Sequence, residues 1–308
     1  FSAVVQQAAC CEGGEQHPPG PRMLRVSSTS RCTVSCSWAQ CRRRGTRKYV
    51  SCSHALAIVI NLDRRGDRLH AMQMLAWGLE WERLAATDGR SLCWQQLVID
   101  NVLTVRAMKE AQFTEARSIP TICRGTGSFS PHLTLSAVGC ALSHRRAWDR
   151  LASHPFCAWA LICEDDVSAM AADFDMQLRR VLCAMPSTWQ ICFLGFHESN
   201  GRLIGSNEQP TIREVPSRAA VLTGLFGYLL HKSAARELVH DVFPLGHQVD
   251  VALSIRPWPP GSRFAVAPDA VLICSPKSEE GHCDTDVQTL GSKQEDAHKD
   301  LPPSMVRL

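Results

Sequence analysis

From residue 55 onward, short apolar runs alternate with stretches of helical periodicity. "ALAIVINL" (55–62) is continuous, apolar and rich in β-branched residues, as expected of a strand buried on both faces. In "DRLHAMQMLAWGL" after it, Leu69, Met72, Ala76 and Leu79 recur at helical spacing, and the pattern stops near Gly78. "WERLAATDGR" (81–90) then predicts a second strand and a turn. Strand, helix, strand is the opening of a parallel α/β sheet.

Residues 91–135 mix short helical pieces with a Gly/Ser/Pro loop, "CRGTGSFSPH". "VGCALSHRRAWDRLA" (138–152) reads as an amphipathic helix with Val138, Ala141, Leu142, Trp148 and Leu151 on one face, ended by His154-Pro155. "FCAWALIC" (156–163) is a second buried strand. Phe174, Leu178, Val181, Leu182 and Met185 then follow helical spacing up to Pro186, and "WQICFLGF" (189–196) is another strand. "AAVLTGLFGYLLHKSAARELV" (219–239) reads as a strand running into a helix. No apolar run approaches the roughly 18 residues of a membrane-spanning helix, so no transmembrane segment is expected.

Three regions follow: a basic, Cys/Ser/Arg-rich leader or disordered arm (1–54), a folded domain (55–290) and a polar tail (291–308). The net charge of +3 is uneven. The arm carries eight basic residues against Glu12 and Glu15, a net of +6, so the rest of the chain sums to −3. The body therefore gives no electrostatic case for nucleic acid. None of the 15 cysteines pairs at C-x-x-C spacing, which argues for buried thiols, with room for a disulfide, over a zinc or redox motif.

The chemistry sits in "LICEDDVSAM" (161–170), where Glu164, Asp165 and Asp166 end a buried strand. Clustered carboxylates oppose each other's ionisation and need a cation or proton. In open α/β sheets ligands bind at the C-terminal strand ends. Carboxylate oxygens suit Mg²⁺ or Mn²⁺, which share coordination with phosphates; the alternative is a helix N-terminus favoured by negative charge. "GHCDTDVQTL" (281–290) offers His282, Asp284 and Asp286 as a second cluster able to complete a metal site, or as a solvated loop.

"AIVINLDRRGDRLHAM", "ERLAATDG", "GCALSHRRAW" and "ALICEDDV" resemble, in order and approximate spacing, the blocks of glycosyltransferase family 25. The family includes bacterial lipooligosaccharide and eukaryotic procollagen galactosyltransferases. The likeness continues in "WQICFLGF", "LTGLFGYLLHKSAARELV", "HQVD" and weakly "DTDVQTL", over roughly residues 57–290. It implies a GT-A type, Rossmann-like α/β fold with a mixed, mainly parallel sheet and flanking helices. It also implies a UDP-sugar donor, most commonly UDP-galactose, inverting transfer to a glycan or hydroxylated protein, and Mn²⁺ or Mg²⁺.

Carried over residue by residue, the likeness makes Asp166 the foremost metal ligand, with Asp165 and Glu164 sharing metal and nucleotide contacts and Asp286 or His282 completing the set. Asn61 and Leu62 would border the nucleotide, with Arg65 or Arg68 near phosphate. Ala86, Asp88 and Gly89 would wall the uridine, and Ser143 and His144 would face the donor. Asp250 in "HQVD" is the candidate base and His247 the second choice; Asp250 could instead cap a helix. Departures are Cys163, where an aliphatic residue is usual, and the basic arm. Eukaryotic membership would imply the ER or Golgi lumen, and bacterial membership the cytoplasm. The rival readings are a two-metal phosphohydrolase and a non-catalytic UDP-sugar-binding module.

Overall fold

In the computed structural model the described residues are 55–75, 79–119, 122–123, 128–129, 132–196, 198–200, 204–206, 209–216, 221–267, 271–275, 286 and 290–291. The basic arm, His282, Asp284 and the tail beyond residue 291 lie outside them.

The first elements are β1 (Ala55–Asn61), α1 (Gly66–Met74) and β2 (Glu82–Ala85), matching the strand, helix, strand expectation. A 3-10 turn (Gly89–Ser91) and helices α2 (Trp94–Ile99) and α3 (Val105–Ala116) follow. A short pair, β3 (Ile122–Cys123) and β4 (Ser128–Phe129), precedes the long helix α4 (Leu135–Ser153). Next come β5 (Trp159–Glu164), β6 (Ala169–Met170), α5 (Phe174–Ala184), β7 (Ile191–Phe193), β8 (Glu198–Asn200), β9 (Ile204–Ser206), β10 (Gln209–Glu214) and β11 (Val221–Thr223). The remainder is β12 (Gly227–His231), α6 (Lys232–Asp241), α7 (Val249–Ile255), β13 (Arg263–Val266), β14 (Ile273–Cys274) and β15 (Leu290–Gly291).

The main sheet has eight strands in the order β2-β1-β5-β12-β7-β13-β10-β9. It is mixed: β2, β1 and β5 run parallel, as do β7 and β13, while β12 runs antiparallel to both its neighbours. Side chains alternate between two apolar layers. Ile58, Ile60, Ile162 and Tyr228 point to the layer containing α4 and α6, and Val59, Leu161, Cys163 and Leu229 to the layer containing α5. Burial on both faces explains why these strands read as unbroken apolar runs. Cys163 is fully buried and packs as the small hydrophobe expected of it.

Helix α4 starts three residues earlier than its apolar spacing suggests, because Thr134 caps it by accepting a hydrogen bond from the Ala137 amide at 3.0 Å. It lies close to the loop after β2. A Cβ at Gly139 would stand 2.6 Å from the Thr87 carbonyl oxygen, and one at Gly89 would stand 2.5 Å from that of Leu135. Only glycine permits that approach, which brings α4 to the edge of the strand ends.

Candidate functional site

Because β2, β1 and β5 are parallel, their C-terminal ends converge, with β1 at the centre and the chain crossing to either side of it. This is the topological switch point of an open α/β sheet. Leu62, residues 86–89 and the acidic triplet all emerge there. The Ala86 amide donates to the Asn61 carbonyl at 2.9 Å, and the Thr87 amide to Ser143 Oγ at 2.8 Å, so β1, β2 and α4 are sewn together around the opening. The resulting cleft holds about 620 Å³ of space, part of it open to solvent. Leu62, Arg68, Ala86, Asp88, Gly89, Ser143, His144, Glu164, Asp165, Asp166 and Asp286 all line it.

The three acids meet three different surroundings. Asp165 is buried and tied down, accepting from Asn61 Nδ2 at 2.7 Å and Arg68 Nη1 at 3.0 Å. Burial raises its pKa, and the bonds from Asn61 and Arg68 oppose that rise. Glu164 Oε1 lies 2.8 Å from His144 Nε2 and 3.7 Å from Cys140 Sγ. Asp166 Oδ1 is buried with no hydrogen-bond partner, and Ser275 stands near without closing a normal bond. Burial first, then the charge of Glu164, pushes Asp166 up to about 7. An orphaned carboxylate oxygen beside a second carboxylate is a fit for a divalent cation. Asp166 and Glu164 are the pair available to hold it.

Asp286 is placed differently from the ligand role. Its carboxylate pairs with Arg64, with Arg65 Nη1 at 2.6 Å and with Arg68 Nη1 at 3.5 Å. Burial pushes its pKa up, but the arginines outweigh that and hold it low. Asn61 does not border the cleft through its side chain. It is buried beneath the cleft, donates to Asp165 and to the Arg65 carbonyl, and accepts from Arg83 Nε at 2.8 Å. Arg65 is engaged by Asp67 and Asp286 at the cleft margin. Ser143 lines the opening, but its hydroxyl is occupied in joining Gly139 to Thr87. Asp88 accepts from Arg90 and Arg64, which hold its carboxyl well below the usual range.

Asp250 lies in the first turn of α7, where Gln248 rather than Asp250 holds the capping position. Its carboxylate accepts from the Val251 amide at 2.8 Å and the Gly224 amide at 3.3 Å. Burial raises its pKa against those two bonds, and the charge of Glu164 adds to the rise, so it lies within electrostatic reach of the acidic triplet. His247 points elsewhere: it is half-buried, burial lowers its pKa, and the charges it feels are Glu110 and Arg106 of α3.

Several residues of the site escape a reading of the sequence. Cys140 and Arg64 line the cleft, and Arg83 braces Asn61. Tyr228 Oη lies 2.9 Å from His144 Nδ1 and accepts from Trp148 Nε1 at 2.8 Å. A tyrosine inside a buried strand, beside a helix offering His and Trp four residues apart, was the available clue.

A cleft lined by carboxylates, arginines and a glycine-containing loop thus opens where ligands bind in open α/β sheets. Residues 55–195 match the model of glycosyltransferase family 25, described as LPS biosynthesis protein, which bears out over that span the resemblance drawn from the sequence. The match carries the three parallel strands, α4 and the acidic triplet; Tyr228, Asp250 and Asp286 lie beyond it. No curated protein matches the chain.

Proposed function

We propose that the protein transfers a hexose, galactose foremost, from a UDP-sugar to a hydroxyl of a glycan or hydroxylated protein, with inversion and with the help of Mn²⁺ or Mg²⁺. The observation that carries this reading is the buried, unpartnered Asp166 Oδ1, held near neutral pKa at the end of a parallel strand. Asp166 and Glu164 would hold the cation, which neutralises charge developing on the departing diphosphate. Arg68 and Arg64 flank the same cleft and suit phosphate oxygens. The loop from Ala86 to Gly89 walls the nucleoside end.

Asp250 serves as the base. Its carboxylate takes the acceptor hydroxyl's proton, the acceptor oxygen bonds the anomeric carbon, and the bond from that carbon to the diphosphate oxygen breaks with its electron pair leaving on UDP. A carboxyl lifted by burial suits this step, because proton transfer is most effective when the base's pKa lies nearer the working pH.

The test is UDP release, scanning UDP-sugars with Mn²⁺ and a hydroxyl-bearing acceptor, against D166A. Release from one donor, lost in the variant, supports the proposal. Metal-dependent cleavage of a plain phosphoester favours a hydrolase, and UDP binding with no release from any donor favours a binding module.

A further inference from the structure

Trp148, Tyr228, His144 and Glu164 form a continuous buried chain that the transfer reaction, as described, does not use. The first three are fully buried, and the links measure 2.8 Å, 2.9 Å and 2.8 Å. Cys140, His144 and Glu164 also present ligand atoms all within 4.8 Å of one another, the arrangement of a soft-metal centre. The hydrogen bonds decide between the two readings.

An indole N–H can only donate, so Tyr228 Oη accepts from Trp148. Among the described residues the one other partner of that hydroxyl is His144 Nδ1. The tyrosine proton therefore points at Nδ1, since a buried O–H left without an acceptor is costly. Nδ1 is then an acceptor, and the imidazole proton resides on Nε2, directed at Glu164 Oε1. In this tautomer Nε2 has no lone pair to offer a metal. Cys140 Sγ lies 3.7 Å from the same oxygen and adds a second, weaker donor to it.

We infer that Trp148 and Tyr228 are positioning residues: they lock His144 as its Nε2–H tautomer so that it holds Glu164 Oε1 and orients that carboxylate for the cation. The role toward a cation rests on the reading given under the proposed function; the direction of the chain does not. The chain joins α4, β5 and β12, so the orientation of the triplet's first acid is set from a strand outside the parallel part of the sheet.

The first measurement is ¹⁵N NMR of the histidine-labelled wild-type chain, with His144 assigned by comparison with H144Q. Protonated Nε2 and unprotonated Nδ1 are expected; a proton on Nδ1, or Zn²⁺ bound at Cys140 and His144, overturns the inference. The second is Mn²⁺ affinity by calorimetry in the presence of UDP. Y228F, which removes the acceptor of Trp148 and the donor to Nδ1, is expected to weaken Mn²⁺ about 10- to 100-fold. H144Q, whose amide can still donate to Glu164, is expected to lose much less. Folded Y228F binding Mn²⁺ as tightly as wild type overturns the positioning role. Wild type that shows the expected tautomer but binds no Mn²⁺ supports the chain's direction and removes the cation reading instead.

Discussion

Replacing Asp166 by Asn removes a carboxyl group whose ionisation the fold opposes. Asp166 is raised from 3.8 to about 7, by burial first and then by the charge of Glu164, with Arg68 acting in the opposite sense. Between those values the folded chain holds a proton that the unfolded chain has released. Stability therefore falls as pH rises from about 4 to about 7 and is level above that. Two of these roughly three units lie between pH 5 and 7. At 1.36 kcal/mol per unit, ionising Asp166 over that interval costs roughly 3 kcal/mol as an upper limit. The side chain borders an open cleft, so about 1–2 kcal/mol is the working figure. The stability of D166N relative to wild type should thus grow from pH 5 to pH 8 by about 2–8 °C in melting temperature. The assay is a thermal melt of both proteins at the two pH values with divalent ions chelated. A D166N difference that stays the same at pH 5 and pH 8 would refute the reasoning, since it would mean that the Asp166 charge is satisfied by the protein alone.

Other perturbations have definite expected outcomes. Arg68→Ala deletes a charge that lines the cleft and bonds Asp165; UDP affinity measured by calorimetry should fall about 10- to 100-fold, the worth of a charged hydrogen bond. Asp250→Asn should lower turnover by about 10²–10⁴-fold with UDP affinity unchanged, whereas His247→Ala, which faces α3, should leave turnover within about twofold. Gly139→Ala forces a methyl against the Thr87 carbonyl and the Gly89 amide, so α4 and the residue 86–89 loop must separate; about 1–3 kcal/mol of stability should be lost in denaturant melts, with weaker UDP binding.

What the sequence reveals follows from which physical constraint writes a pattern into it. β1 and β5 are buried on both faces, and that demand produces "ALAIVIN" and "WALIC", which stand out unaided. α5 packs one face on the sheet and shows a helical stripe for the same reason. Strand direction leaves no such mark: β12 is as apolar as β5 yet runs antiparallel to it, and Tyr228 meets His144 across 84 residues. The acidic triplet was legible as a cluster, but its division of labour was not. Whether an acid is free depends on neighbours such as Asn61, 104 residues from Asp165, and Asp286 lies 221 residues from the Arg65 that it pairs with. His247 and Asp250 are alternative bases in the sequence, and only the fold shows that Glu164 acts on Asp250 while Glu110 and Arg106 act on His247.

The central claim is that this strand-end cleft binds UDP through a cation held by Asp166 and Glu164. Calorimetry of UDP binding with Mn²⁺ and with chelator, for wild type and D166A, tests it most directly. The account predicts binding that requires Mn²⁺ and is lost in D166A. UDP binding of equal strength in chelator, or D166A binding as tightly as wild type with Mn²⁺ present, would contradict it.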